Sequence, residues 1–462
     1  MKVLLISSNV TLSPYPVYPL GSSMVAAALR DAGHEVLQAD LLERGSDLAA
    51  LAAEVRAFQP GLVGISIRNI DNVNLLREEH YIRSVRDLVA RIRQATDARI
   101  LLGGAGFSLM PELILKEVGA DFGVVGEGEV LAVAFAGDAA RGVFPTEPIL
   151  RASSRIDGKR IGSALYDERI LAFYQQSGHI ASVQTKRGCP YHCLYCTYPL
   201  LEGSALRRRD PQAVVDDILL LRDRHGARYL FFVDSVFNDD EGAYLEVIAE
   251  MERREVAIPW TAYFKPGGLD DAVVARMQRT GLAGAELGAD AACDATLRGL
   301  GKSFTFAEVR ETNALLVRHG VAASDFFMFG GPGETPDTVR EGIANLVSLQ
   351  DCVAMIFMGI RILPGTPLAR LAIQEGLIQA EQPLLEPAYY LSPAVERGWL
   401  ERTLTQAFAG VRHCVFPPDV MDSHVAAMHK TGAVGPLWEL LLARRKRDRP
   451  RRISVSPPRP GA

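Results

Sequence analysis

The chain has 462 residues, 48% of them hydrophobic and 23% charged, with a formal net charge of -5. That length can bury the cores of two or three domains, and the balance is that of an ordinary globular protein, without the basic excess that would point to nucleic acid. No run of about 18 or more apolar residues lacks charges, so no transmembrane segment is expected.

The N-terminus opens on a strand-like run, Lys2-Val3-Leu4-Leu5-Ile6, and not on a signal peptide. Over residues 1–135, strand-like runs at 3–6, 35–37, 62–67, 99–102 and 122–125 alternate with helical periods at 21–32, 48–58 and 81–95. This rhythm predicts a doubly wound, Rossmann-like parallel sheet, whose ligand would sit beyond the carboxyl ends of the strands. The loops at those ends carry the information. Ser7 to Leu20 is long and rich in Pro and Tyr, with Gly21 opening the next helix. Gly64-Ile65-Ser66 closes the third strand, and Arg68, Asn69, Asp71 and Asn72 follow it. Gly103-Gly104 closes the fourth, and Gly126-Glu127-Gly128-Glu129 follows the fifth.

No GxGxxG follows the first strand, so the dinucleotide fingerprint is missing. Paired glycines at a strand end let the backbone approach a flat, bulky ligand instead. These motifs resemble the cobalamin-binding domain that precedes many radical S-adenosylmethionine (SAM) enzymes. The resemblance implies cobalamin contacts at Gly21, Ser66, Gly103, Gly104 and Glu127. The better-known motif of that domain places a histidine under the cobalt. Residues 7–21 contain none, so a cobalt without a histidine below it is expected.

Residues 136–180 read as an interdomain linker. Beyond them the strand–helix rhythm resumes, with strands at 182–185, 229–233, 260–264, 284–287, 324–329 and 355–362. Six βα repeats over 181–375 predict a TIM-like (β/α)6 barrel with its chemistry at the C-terminal strand ends. Polar groups occur at those ends: Asp234 and Ser235 after the second strand, Lys265 after the third and Glu286 within the fourth. Gly330-Gly331-Pro332-Gly333-Glu334 follows the fifth, and Arg361 lies in the sixth.

The first of these loops holds Cys189, Cys193 and Cys196, spaced C-x3-C-x2-C. A closed zinc site would want a fourth ligand, and His192 is not at finger spacing. A cubane cluster is normally held by four thiolates, so three would leave one iron open to a reacting molecule. With Tyr195 before the last cysteine, the stretch resembles the cluster motif of the radical SAM enzymes. The resemblance implies a 4Fe–4S cluster on the three cysteines and SAM beside it. Asp234 and Ser235 would then lie near the methionine amino group, Glu286 near the ribose or carboxylate, and Tyr195 near the adenine. Gly330 and Gly331 would shape the loop that admits SAM, with Arg361 a further cofactor contact. Cys293, Cys352 and Cys414 are scattered singles, read as packing.

After Gly376 the pattern is helical with little strand signal, and 376–447 is expected to close the barrel mouth and select the substrate. His413, His424 and His429 match no metal signature. Residues 448–462 read as a basic, disordered tail. Clustered free thiols without a secretion signal indicate the reducing cytoplasm. The family resemblance implies that the reduced cluster cleaves SAM to a radical that abstracts hydrogen from an unactivated carbon, and that cobalamin delivers a methyl group there. The substrate would be a small molecule or lipid, and the electron donor a flavodoxin or ferredoxin. Rearrangement or ring closure is the alternative chemistry, and a non-catalytic cobalamin or redox sensor the alternative class.

Overall fold

The computed structural model describes residues 1–13 and 15–442; the expected tail, 448–462, lies outside the described residues. Six parallel strands form the first sheet: Lys2–Ser7, Glu35–Asp40, Leu62–Ser66, Arg99–Gly103, Phe122–Val125 and Ile149–Arg151. Their spatial order is second, first, third, fourth, fifth, sixth. The order reverses beside the first strand, which makes the crevice above it and the third strand the natural ligand site. Val3, Leu4, Ile6, Val63 and Ile65 are buried because helices cover both faces. The helix Ile82–Arg93 shows how such a cover forms: Ile82, Val85, Leu88, Val89 and Ile92 make one buried stripe. Asp47 caps the helix Leu48–Phe58 by accepting from the backbone N–H groups of Ala49 and Ala50.

Residues 136–180 are more than a linker. Ile149–Arg151 pairs in parallel with Phe122–Val125, and Asp167 caps a helix, Glu168–Gln175. Three strand residues beside a proline are too few to show a period, which is why the sequence pattern missed the sixth strand.

The second sheet contains Ile180–Val183, Tyr229–Phe232, Trp260–Phe264, Gly284–Asp290, Ala322–Phe329 and Val353–Met358, each beside the strand before it in this series. These are the six expected strands of the (β/α)6 barrel. A seventh, Cys414–Val415, joins the far edge beside Val353–Met358, so the C-terminal region is not purely helical. Tyr389–Tyr390 from the same region pairs antiparallel with Ile360–Arg361. Among the described residues, no helix is long and apolar enough to cross a membrane.

Candidate active site

The cysteine loop is held at the exit of the barrel's first strand. Lys186–Arg187 pairs antiparallel with Arg207–Arg208, and Cys189 donates its backbone N–H to Gly203 O at 2.9 Å. Gly188 has φ +96°, and a Cβ there would lie 2.1 Å from Ala205 O, so only glycine fits before the first cysteine. Leu194 N–H bonds Leu300 O at 3.0 Å, fixing the other end of the loop.

Asp234 and Ser235, expected beside the methionine amino group of SAM, hold this loop. Asp234 is buried and accepts from the backbone N–H groups of Thr185 at 2.7 Å and Lys186 at 3.2 Å. It also accepts from the Thr185 hydroxyl. Ser235 Oγ donates to Gly188 O at 2.8 Å. Lys186, fully buried, lies 3.1 Å from Asp239 and 3.5 Å from Asp234 and donates to Phe237 O. A lysine at that depth requires such partners.

Tyr195 meets groups that the sequence did not suggest. Its hydroxyl donates to Asp290, which also pairs with Lys302. Asp290 has φ +65° and sits where the register of its strand shifts, a bulge that turns the side chain toward the cysteine loop. Burial pushes both Cys189 and Cys196 up, Cys196 to about 12, against a smaller downward pull from Lys302. All three are free thiols. Among the described residues, no three His, Cys, Asp or Glu side chains converge on one point that could hold a metal ion. Three thiolates can each take a different iron of a cubane, whereas a closed zinc site wants a fourth ligand. The donor set therefore fits a cluster.

The Gly330–Glu334 turn closes on itself. Gly330 and Gly331 both donate their N–H groups to Glu334 Oε2, and burial raises Glu334 to about 7. These two donors are not free for SAM. Arg361 is likewise engaged elsewhere, in a buried ion pair with Asp71 at 2.8 Å and in hydrogen bonds to Ile362 O and Leu384 O. It joins the barrel to the first domain. Arg361→Met is expected to destabilise the chain by about 3–5 kcal/mol, because it strands the Asp71 carboxylate in the interior. A denaturant midpoint equal to that of the parent chain would contradict this.

Between the two sheets lies a cavity of about 590 Å3. One wall consists of strand ends of the first domain, including Gly21, Ser66, Gly103, Gly104 and Glu127; the other includes Ser182, Gln184, Tyr198, Phe231 and Tyr263 of the barrel. No histidine lines it. Gly104 has φ +96°, and a Cβ there would lie 2.5 Å from Ile67 O, so the turn is pressed onto the third strand's exit and leaves bare backbone at the cavity. A broad cavity floored by exposed backbone is the fit expected for a corrin. Arg68 projects into it, and no ion pair or hydrogen bond holds its guanidinium among the described residues. Glu127 lines the space, but its carboxylate lies 2.6 Å from Arg207 and 3.3 Å from Arg187 and accepts from Ile156 N–H. Burial pushes the Glu127 carboxyl up, but these hydrogen bonds and charges more than offset that and leave it below its ordinary value. Glu129 takes the other end of Arg187 at 2.5 Å. The Gly126–Glu129 turn thus grips the arginine two residues before Cys189, a role the sequence pattern did not reveal.

Two family profiles match the chain: "B12 binding domain" over residues 6–136 and "Radical SAM superfamily" over residues 183–344. The tryptophan 2-C-methyltransferase of Streptomyces laurentii is 25% identical, over 77% of this chain and 72% of that protein. The cytidylyl-2-hydroxyethylphosphonate methyltransferase of Streptomyces wedmorensis is 24% identical, over 84% of each. In fold, the chain resembles the radical SAM methyltransferase TsrM of Kitasatospora setae, solved with cobalamin and a 4Fe–4S cluster bound. The TM-score is 0.82 at 23% identity, covering 95% of this chain and 97% of that one. The two profiles together match more than half of the chain, in the order of its two sheets. The chain belongs to the radical SAM superfamily and carries an N-terminal B12-binding domain.

Proposed function

We propose that this enzyme transfers a methyl group from SAM to an unactivated carbon of a small-molecule substrate. The observation that carries this is the shared cavity: the cobalamin-type strand ends and the barrel interior open on one space, which reaches Thr197 and Tyr198 beside Cys196. The chain's similarity to two curated methyltransferases agrees with it. When bound, the cluster and cobalamin supply electron transfer to SAM and methyl transport. The chain's own residues orient and enclose. Cys189, Cys193 and Cys196 would hold the cluster, and Arg187, fixed by Glu127 and Glu129, ties its loop to the cobalamin side. Tyr198 and Tyr263 wall the cavity with rings that exclude water. The three free thiols of such a site, Cys189 buried and Cys193 and Cys196 half-buried, belong in a reducing compartment, so we place the enzyme in the cytoplasm with a flavodoxin- or ferredoxin-type electron donor.

The test quantifies both products of SAM. Reduced enzyme with substrate is expected to release 5′-deoxyadenosine and S-adenosylhomocysteine in equal amounts. Substrate-dependent 5′-deoxyadenosine without S-adenosylhomocysteine would move the assignment to rearrangement or ring closure.

A further inference from the structure

The segment after the helix Asp294–Gly299 packs directly on the cysteine loop. Leu194 N–H bonds Leu300 O, and a Cβ on Gly301, at φ +73°, would lie 2.7 Å from Leu194 and 2.9 Å from His192 O. The next residue is Lys302. Its side chain is 7% exposed, and its ammonium pairs with Asp290, whose side chain is 13% exposed. Its contacts to Tyr195 Oη and Gly288 O are both long, at 3.5 Å. The rings of Tyr195 and Phe304 complete the enclosure, with centroids 5.6 and 5.8 Å from Nζ. An ammonium carries three N–H donors, more than Asp290 uses. Lys302 also stands within hydrogen-bonding reach of Cys193, and its charge acts on Cys189 and Cys196 as well.

This arrangement is costly to build. A lysine taken out of water needs compensation, and Asp290 reaches it from a left-handed backbone, φ +65°, at a break in strand register. Strain of that kind persists only where the surroundings hold it, and it gathers at functional sites. The loop's own buried cations answer to carboxylates elsewhere, Lys186 to Asp234 and Asp239, and Arg187 to Glu127 and Glu129. Lys302 is therefore the cation that the fold delivers to the thiols themselves.

The potential of an iron–sulfur cluster follows its net charge, the hydrogen bonds to its sulfurs and its exposure. Three thiolates leave a cubane anionic, and an added electron makes it more so. A buried ammonium beside those sulfurs favours the reduced form, and a carboxylate on the ammonium offsets part of that. We infer that Lys302 is a positioning residue that raises the reduction potential of the cluster held by Cys189, Cys193 and Cys196, with Asp290, fixed by the Tyr195 hydroxyl, setting how much of the charge is felt. The single electron comes from the flavodoxin- or ferredoxin-type donor, and no proton moves. This rests on the cluster at the three cysteines and not on the methyl-transfer reading.

An anaerobic redox titration of the reconstituted full chain, followed by the spin resonance of the reduced cluster, reads the potential directly. It is run without SAM or substrate, so its failure would leave the methyl-transfer reading standing, and a failed coproduct assay would leave this one standing. Lys302→Met is expected to lower the potential by about 59 mV, the one-electron equivalent of a tenfold change in the reduction equilibrium. Lys302→Arg keeps the charge and should stay within about threefold of the parent equilibrium. Asp290→Asn should shift the equilibrium about threefold the other way, because it keeps the side chain's size and removes the charge that offsets the ammonium. Opposite signs are what a merely structural pair would not give, since loss of a brace moves both variants alike. If Lys302→Met binds no iron, Asp290→Asn and Lys302→Arg carry the test. An unchanged potential in Lys302→Met or Asp290→Asn, a fall in Asp290→Asn, or a tenfold fall in Lys302→Arg would each overturn the assignment.

Discussion

Replacing Cys189, Cys193 and Cys196 together by alanine is expected to reduce the iron of anaerobically reconstituted protein from about four per chain to nearly none. SAM cleavage should vanish with it. The reason lies in the loop's construction and in the chemistry of its thiols. Burial raises Cys189 and Cys196, so without metal they stay protonated near neutral pH. A cluster must displace those protons, and three thiolates are what it gains in exchange. The loop backbone is held independently, through Gly203, Leu300 and Ser235, so the triple variant should keep the parent's circular dichroism. Cys293, Cys352 and Cys414 supply the control. Each is buried and lies outside the C-x3-C-x2-C stretch, and alanine at all three should leave the iron content unchanged. Stoichiometric zinc and no iron in the parent protein would end the cluster assignment.

The cysteine loop was legible in the sequence because its information is local: three ligands and an aromatic within eight residues. The parallel sheets were legible for a related reason, since buried strands separated by amphipathic helices repeat over stretches long enough to show a period. What local pattern could not supply was partnership at a distance. Arg361 reads as a strand-end cation facing a cofactor, yet its partner, Asp71, lies 290 residues earlier. Glu286 and Tyr15 are separated by 271 residues. Glu127 looked like a ligand contact because it stands between two glycines, and only the fold brings Arg187 and Arg207 to it. Asp234 is the same case at shorter range: a carboxylate at a strand end gives no sign in the sequence that it holds a neighbouring strand, here through Thr185. Lys302 gave no signal at all, being a lone lysine after a short helix until the bulge at Asp290 turns a carboxylate toward it.

Gly104→Leu is expected to abolish retention of cobalamin while leaving iron incorporation intact. The Gly103–Gly106 turn lies directly on the backbone leaving the third strand: Ile67 N–H donates to Gly103 O at 2.8 Å, and Gly106 N–H donates to Ile67 O at 2.9 Å. A side chain at position 104 would enter that contact, with its Cβ 2.5 Å from Ile67 O and 2.9 Å from Ile67 N. It would also have to adopt φ +96°, a conformation that L-residues with a Cβ rarely take. The turn must therefore shift, and Gly104 itself lines the cavity together with Gly103, Ser66 and Arg68, so the shift alters the cavity wall. Even a displacement costing about 1.4 kcal/mol weakens binding tenfold, and overlap of this kind with backbone atoms costs more. Gly137→Ala is the control within the same domain. Its added Cβ would meet nothing within 4 Å, its φ is not positive, and it does not line the cavity. After gel filtration, cobalt per chain should fall to near zero for Gly104→Leu and stay close to the parent value for Gly137→Ala. Iron should be the same in all three, because the cysteine loop follows the first strand of the barrel and not the first sheet. Full cobalt in Gly104→Leu would mean that the bare backbone of this turn is not the surface against which the corrin lies. Equal loss in both variants would place the sensitivity in the domain as a whole and not in the close approach at position 104.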